Sequence, residues 1–196
     1  MLTFLAAVFF LIITPGPGVL STAGVGVSFG ARAGLRYVLG LFLGNCLIMV
    51  MVISGLAALI FALPGARPVL VTASTAYLVY LAWRIATAGA KLGFIHPARA
   101  PGVREGFALQ PINPKAYVVN TALFANFPFD GVSLAWETGL KVLMINAIWV
   151  PIHLVWLGLG LWLRRLDLPP RVQRGVNFAM AASMLGVVGL SLAAQL

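Results

Sequence analysis

The sequence predicts an all-α membrane protein with six transmembrane helices, and its composition and the spacing of its apolar residues carry this prediction. Of its 196 residues, 61% are hydrophobic and 9% are charged, whereas soluble globular proteins average about 45–50% apolar and about 25% charged residues. A helix of about 20 apolar residues crosses the hydrocarbon core of a bilayer, which is roughly 30 Å thick. Stretches of that length cover residues 1–23, 37–62, 69–90, 107–128, 139–163 and 176–195.

The basic residues alternate along the chain in a way that predicts its orientation. The formal net charge is +9, and eleven of the 13 basic residues fall in or beside three connections, around residues 24–36, 91–106 and 164–175. Arg67 and Lys141 fall in the other connections. By the positive-inside rule, the three basic connections lie in the cytoplasm and both termini lie outside. Such scattered charges do not form the single basic face that is typical of nucleic-acid binding.

The first span is interrupted by two prolines and two glycines. The segment reads Thr14-Pro15-Gly16-Pro17-Gly18. Each proline lacks an N–H donor and clashes with the carbonyl four residues earlier, so the carbonyls of Leu11 and Ile13 lose their helical partners. Inside hydrocarbon, freed polar groups need protein, water or a ligand. The segment is therefore either a binding site or a proline kink without a ligand. The span also lacks the basic start of a signal peptide, so we expect it to be retained.

The second span begins with Gly40 and Gly44, a spacing of small residues that lets another helix approach closely. Asn45 follows, and its amide needs hydrogen-bond partners in an apolar setting. It is a candidate for contacting a ligand, and the alternative is a hydrogen bond between helices. The third span ends in an aromatic cluster, from Tyr77 to Arg84, that favours a membrane-interface anchor.

A second proline break lies in the fourth span. It reads Gln110-Pro111-Ile112-Asn113-Pro114-Lys115. Its prolines free the carbonyls of Phe107 and Gln110. Asn113 offers a donor and an acceptor, and Lys115 offers a compact positive charge. Lys115 is either a ligand-binding group or one more positive charge on the cytoplasmic side.

The fifth span contains His153, which is the titratable side chain that we expect deepest in the membrane. An intramembrane histidine is rare and titrates near physiological pH when unperturbed. His153 is either a proton carrier or a neutral, hydrogen-bonded structural imidazole. The acidic residues fall in predicted loops: Glu105 and Asp167 on the cytoplasmic side, Asp130 and Glu137 on the outer side.

The two breaks divide the single predicted domain, residues 1–196, into two repeats of three spans, about residues 1–90 and 107–196. Because three is odd, the second repeat crosses the membrane in the opposite sense to the first. Corresponding broken helices in inverted repeats point to a transporter site at the repeat interface. Helix N-termini suit a carboxylate and freed carbonyls suit an ammonium, so an amino acid fits such a site. The candidate substrate-binding residues are therefore the polar, proline and glycine residues of the two breaks together with Asn45: Thr14, Pro15, Gly16, Pro17, Gly18, Asn45, Gln110, Pro111, Asn113, Pro114 and Lys115.

Several motifs resemble the lysine exporter (LysE/RhtB) family of bacterial amino-acid efflux proteins. They are Thr14-Pro15-Gly16-Pro17, Gly30-x-Arg32-Ala33-Gly34-Leu35, Leu39-Gly40-x3-Gly44, Tyr77-Leu78-x-Tyr80-Leu81-x-Trp83, Gly106-Phe107 and Asn113-Pro114-Lys115-Ala116. The resemblance implies a six-span carrier of the bacterial inner membrane, an antiporter that exports amino acids or their derivatives and is driven by protons.

Where the family commonly carries acids, after the glycine of the second span and in the fifth span, this chain has Asn45 and His153. The family also usually has Asn where this chain has Gly18. The lost carboxylates argue against a basic amino acid as substrate, so we expect a neutral amino acid or derivative.

Three other classes compete with a transporter of amino acids. An intramembrane enzyme needs a nucleophile and base at depth, and a metal-ion exporter needs clustered His, Cys or carboxylate ligands. The third is a structural or regulatory membrane protein that has lost transport. We expect no metal, cofactor or nucleic acid; Cys46, the one cysteine, cannot form an internal disulfide. The sequence leaves the oligomeric state open, including a homo-oligomer.

Overall fold

The computed structural model describes residues 1–86, 99–166 and 169–193, and within these ranges it consists of nine α-helices without strands. Their bounds are α1 (Leu2–Ile13), α2 (Pro17–Phe29), α3 (Ala31–Ile53), α4 (Leu56–Ala62), α5 (Ala66–Ala86), α6 (Val103–Ile112), α7 (Pro114–Ala125), α8 (Leu134–Arg165) and α9 (Pro170–Ala193). The predicted all-α class is confirmed for this part of the chain.

Two described helices, α3 and α8, are long and apolar enough to cross a membrane. The helices α1 and α2 are bent by 52° at their break and form a third span if the pair is counted as one. The predicted fourth span likewise divides, into α6 and α7 at Asn113. The ends of the predicted third and sixth spans, residues 87–90 and 194–195, lie outside the described residues.

Two predicted boundaries are wrong. The loop expected at residues 24–36 is instead helical on both sides of Gly30, whose φ of +83° lets the chain reverse between α2 and α3 within one residue. Arg32 and Arg36 therefore lie in the first turns of α3. The expected span 37–62 is divided at Gly55, whose φ of +78° separates α3 from α4.

Basic side chains gather at one end of the bundle. Arg164 donates to the carbonyl of Val27 over 3.2 Å, and Arg32, Arg36 and Arg104 line one surface cavity near the start of α6. This is the end that the charge pattern assigns to the cytoplasm. Of the other charges that the sequence places in or beside connections, Lys91 and Asp167 lie outside the described residues, as do the side chains of Arg67 and Arg84.

The opposite end contains a buried lysine that the sequence placed in a connection. Lys141 lies in α8 and is 1% exposed. Its ammonium is 2.6 Å from a carboxylate oxygen of Glu137 and donates to the carbonyl of Phe124 over 3.0 Å. Glu137, expected in an outer loop, lies in the first turn of α8. Both residues were expected in a connection, and both expectations were wrong. Lys141 can be buried in α8 because the carboxylate of Glu137 and the carbonyl of Phe124 compensate its charge.

Close packing between α3 and α6 depends on glycine. A Cβ atom on Gly40 would collide with the backbone of Val103, and one on Gly106 would collide with the backbone of Tyr37. At Gly44 it would lie 2.9 Å from the carbonyl oxygen of Phe107. The prediction that Gly40 and Gly44 admit another helix is confirmed, and that helix is α6, which leads into the second break.

Candidate functional site

The two proline breaks meet in space. The ammonium nitrogen of Lys115 donates to the carbonyl oxygen of Thr14 over 2.5 Å, across 101 residues of sequence. In a continuous helix, the carbonyl of Thr14 would accept from the amide of Gly18. Because α1 ends at Ile13 and α2 begins at Pro17, this carbonyl is available to Lys115. Proline geometry alone pointed to the carbonyls of Leu11 and Ile13 and missed that of Thr14.

Gly16 makes room for this contact. It is extended, with φ −160° and ψ 178°, and precedes the first residue of α2. A Cβ atom on Gly16 would lie 2.9 Å from Cδ of Lys115 and 3.1 Å from its Nζ. A larger residue would therefore press on the lysine side chain where it approaches the first break.

The second break satisfies much of its own backbone. The side-chain oxygen of Asn113 accepts from the amide of Lys115 over 3.1 Å, which caps the start of α7. The carbonyl of Gln110 accepts from the amide of Asn113 over 3.0 Å. The prediction that Pro114 leaves the carbonyl of Gln110 free is therefore wrong, since the turn at Asn113 supplies another donor.

A pocket lies where α1, α2, α3, α6, α7 and α8 converge, and it encloses about 420 Å³ including its open mouth. It is lined by eight of the predicted site residues: Thr14, Gly16, Gly18, Asn45, Gln110, Asn113, Lys115 and His153. Four predicted residues, Pro15, Pro17, Pro111 and Pro114, shape the breaks without lining the pocket. Apolar side chains from α1, α2 and α7 complete the wall: Leu11, Ile12, Val19, Ala116 and Val119.

His153 is buried in α8 with its ring fixed from two sides. Its Nδ1 lies 2.9 Å from the carbonyl oxygen of Trp149, and the indole of Trp149 stacks on the imidazole with 3.5 Å between centroids. A carbonyl only accepts, so Nδ1 carries a hydrogen and Nε2 is the acceptor of the neutral ring. A Cβ atom on Gly18 would lie 3.3 Å from Nε2, so this nitrogen faces the first break.

Asn120 and Trp149 also line the pocket, although neither was predicted from the sequence. Asn120 is buried in α7 and donates from Nδ2 to Oδ1 of Asn45 over 3.1 Å. The signal was present, since Asn120 is an amide inside an apolar helix just after the second break. The one signal in the sequence for Trp149 is its position one helical turn before His153.

Within the described residues, no group of three or more His, Cys, Asp or Glu side chains is arranged to hold a metal ion. The polar groups of the residues that line the pocket are instead one ammonium, one imidazole, one indole N–H, one hydroxyl, side-chain amides and backbone atoms. This set can bind a small molecule that carries both hydrogen-bond donors and acceptors.

The family model for the LysE type translocator matches residues 9–196. The chain belongs to this family. The translocator is also 30% identical over 132 residues to proteins named cysteine/O-acetylserine efflux protein from Escherichia coli strain K12, Shigella sonnei and Shigella flexneri, and the match covers 67% of this chain and 67% of each relative. No solved structure matches it. The family and these relatives make the translocator a membrane transport protein and not an enzyme.

Proposed function

We propose that this translocator exports a neutral amino acid or amino-acid derivative across the bacterial inner membrane. The observation that carries the proposal is the pocket between the two breaks, which offers the Lys115 ammonium, the Thr14 carbonyl and no carboxylate among its described lining residues. The relatives are named for export of cysteine and O-acetylserine, whose side chains carry no net charge.

The pocket suits the two charged groups that all α-amino acids share. The ammonium of Lys115 and the first amides of α2 attract the substrate carboxylate, because a helix N-terminus carries partial positive charge and unpaired N–H groups. The carbonyl of Thr14 and Nε2 of His153 accept from the substrate ammonium. Gly16 and Gly18 allow the ligand to approach the backbone closely.

The same charges disfavour a basic substrate. Lys115 already places one positive charge in a site without a described carboxylate. A second cation on the substrate side chain would be buried unpaired, which is costly in an apolar setting. A neutral side chain avoids this repulsion.

We propose that the whole chain, residues 1–196, forms one transport domain of two inverted three-span repeats, about residues 1–90 and 107–196. The broken pairs α1–α2 and α6–α7 would correspond, as would α3 with α8 and α5 with α9. Both termini would face outside, and a second copy of the chain is a candidate partner. The meeting of the breaks at one pocket supports this arrangement, because transporters with inverted repeats bind substrate between broken helices.

Proton coupling is assigned to His153. In the neutral ring, Nε2 has a lone pair that accepts from the substrate ammonium, and in the protonated ring it is a donor that repels this group. A proton and the substrate therefore compete for one nitrogen. Such competition favours antiport, in which a proton enters as the amino acid leaves.

The test is uptake of labelled neutral amino acids into inverted membrane vesicles, whose interior corresponds to the outside of the cell. We expect accumulation of one or more neutral amino acids when the interior is acidic, and less when the gradient is removed. Vesicles with Lys115→Met serve as the control for site-specific uptake. Absence of uptake for every amino acid would contradict the proposal and favour a structural or regulatory protein of the same fold.

A further inference from the structure

We infer that Asn45 and Asn120 form a paired-amide subsite that recognises an uncharged hydroxyl or carboxamide group on the substrate side chain. The inference rests on the proposed function and names the class of neutral amino acid. Asn45 comes from α3 and Asn120 from α7, so the pair lies where the second span meets the second broken helix. It lines the same pocket as Lys115.

The hydrogen-bond network fixes the orientation of both amides. One amide atom of Asn120 lies 2.8 Å from the carbonyl oxygen of Ala116, and a carbonyl only accepts, so this atom is the nitrogen. The same nitrogen lies 3.1 Å from the amide of Asn45, so the atom of Asn45 that faces it is the oxygen. Neither side chain can be reversed without placing two acceptors or two donors together.

Each amide then has one atom left without a hydrogen-bond partner among the residues that the structure describes. These atoms are Nδ2 of Asn45 and Oδ1 of Asn120, and both are fully buried although their side chains line the pocket. The two residues are 3% and 2% exposed. A buried amide atom without a hydrogen bond is costly, so a ligand that pairs with both atoms gains more than an apolar ligand of the same shape.

The chemistry of these two atoms selects the ligand group. Asn45 offers a donor and Asn120 offers an acceptor, which together match a group that both accepts and donates. Hydroxyl and carboxamide groups do both, whereas an ammonium only donates, a carboxylate only accepts and an alkyl group does neither. Asn120 lies five residues beyond Lys115 on α7, about 7.5 Å along the helix axis. This separation leaves Lys115 for the substrate carboxylate and the amide pair for its side chain.

The test compares substrates of equal shape in inverted vesicles. Asparagine and leucine form one isosteric pair, and threonine and valine form another. Competition against a labelled neutral amino acid gives the apparent affinity of each. We expect the polar member to bind at least about tenfold more tightly, since a site built to hydrogen-bond rejects an analogue that leaves its groups unpaired. In Asn120→Leu, we expect this ratio to fall close to one.

Asn146→Leu is the matched control. Asn146 donates to the carbonyl of Val142, four residues earlier, as Asn120 does to Ala116, but it does not line the pocket. It should therefore retain the wild-type ratio. If Asn120→Leu does not fold, Asn120→Ala removes both amide atoms without adding bulk, and it should lose the preference in the same way.

The outcomes separate this inference from the proposed function. Transport of neutral amino acids with equal affinities within each isosteric pair would overturn the amide subsite but not the proposed export. The free atoms of the two amides would then bind trapped water. A preference that survives in both Asn120 variants would also overturn the subsite. Absence of transport for all amino acids in the wild type would contradict the exporter itself.

Discussion

Lys115 and Thr14 join the two proline breaks through a hydrogen bond of 2.5 Å between the lysine ammonium and the threonine carbonyl oxygen. Each partner is available because of its break. Thr14 follows the last residue of α1, and Lys115 follows the proline that starts α7. The contact therefore links a backbone group of one half of the chain to a side chain of the other.

Replacing Lys115 by Met removes the charge and preserves much of the side-chain length. A hydrogen bond to a charged group contributes about 1.5–3 kcal/mol, so substrate affinity should fall roughly tenfold to a hundredfold. Binding is measured by substrate-dependent thermal shift on the purified protein. Arg36→Gln, which removes an exposed positive charge at the basic end, is the control and should bind as the wild type does. Equal losses in both variants would show a general charge effect.

Replacing Pro15 and Pro17 together by Ala tests the first break itself. The helix can then continue from α1 into α2, and the carbonyl of Thr14 would accept from the amide of Gly18 instead of Lys115. We expect transport to fall at least tenfold, for the loss of one charged hydrogen bond, while thermal stability stays equal or rises. A double variant that transports normally would show that the break is only a kink.

Gly40→Ala tests the close contact between α3 and α6. The added methyl would collide with the backbone of Val103, and overpacking of this kind costs about 1–3 kcal/mol. We expect a lower unfolding temperature in detergent. Gly158→Ala is the matched control, because Gly158 is exposed and a Cβ atom there meets no atom of the described residues within 4 Å. Ala favours the helix at an open site, so a Gly158→Ala variant destabilised as much as Gly40→Ala would show that the contact between α3 and α6 is not the cause.

The helical class and the two breaks were readable from the sequence because apolar length and proline chemistry are local properties. The loop at residues 24–36 was not, since a single glycine with positive φ replaces it. Lys141 was misplaced because the carbonyl that accepts from it, that of Phe124, belongs to α7 and is visible only when α7 and α8 are packed. For the same reason, Asn45 could be predicted as a site residue from the sequence, but its hydrogen bond with Asn120 on another helix could not.

Lys141→Met and Lys141→Ala should differ in stability. The ammonium of Lys141 lies 5.3 Å from the ring centroid of Phe129 and 6.0 Å from those of Phe4 and Phe124. Met fills the space among these rings but leaves the Glu137 carboxylate without its partner, so the loss of stability in this variant measures the charge interaction alone. Ala leaves a cavity, which costs about 2–5 kcal/mol for side chains of this size. Thermal unfolding of both variants measures the difference, with exposed Arg165→Ala as the surface control. Equal losses for Met and Ala would place the stabilisation in the charge.

His153→Gln separates coupling from transport. If Nε2 of His153 is shared in turn by a proton and the substrate ammonium, the variant can still bind substrate through Lys115 and Thr14 but cannot carry the proton. In inverted vesicles with an acidic interior, we expect gradient-driven accumulation to disappear while exchange of labelled for unlabelled substrate continues. Gln retains an acceptor near Gly18, so the pocket keeps its polarity. Accumulation against a gradient in this variant would show that the proton travels by another route. Loss of exchange as well would place His153 in substrate binding alone, because a residue needed only for the proton leaves downhill exchange intact.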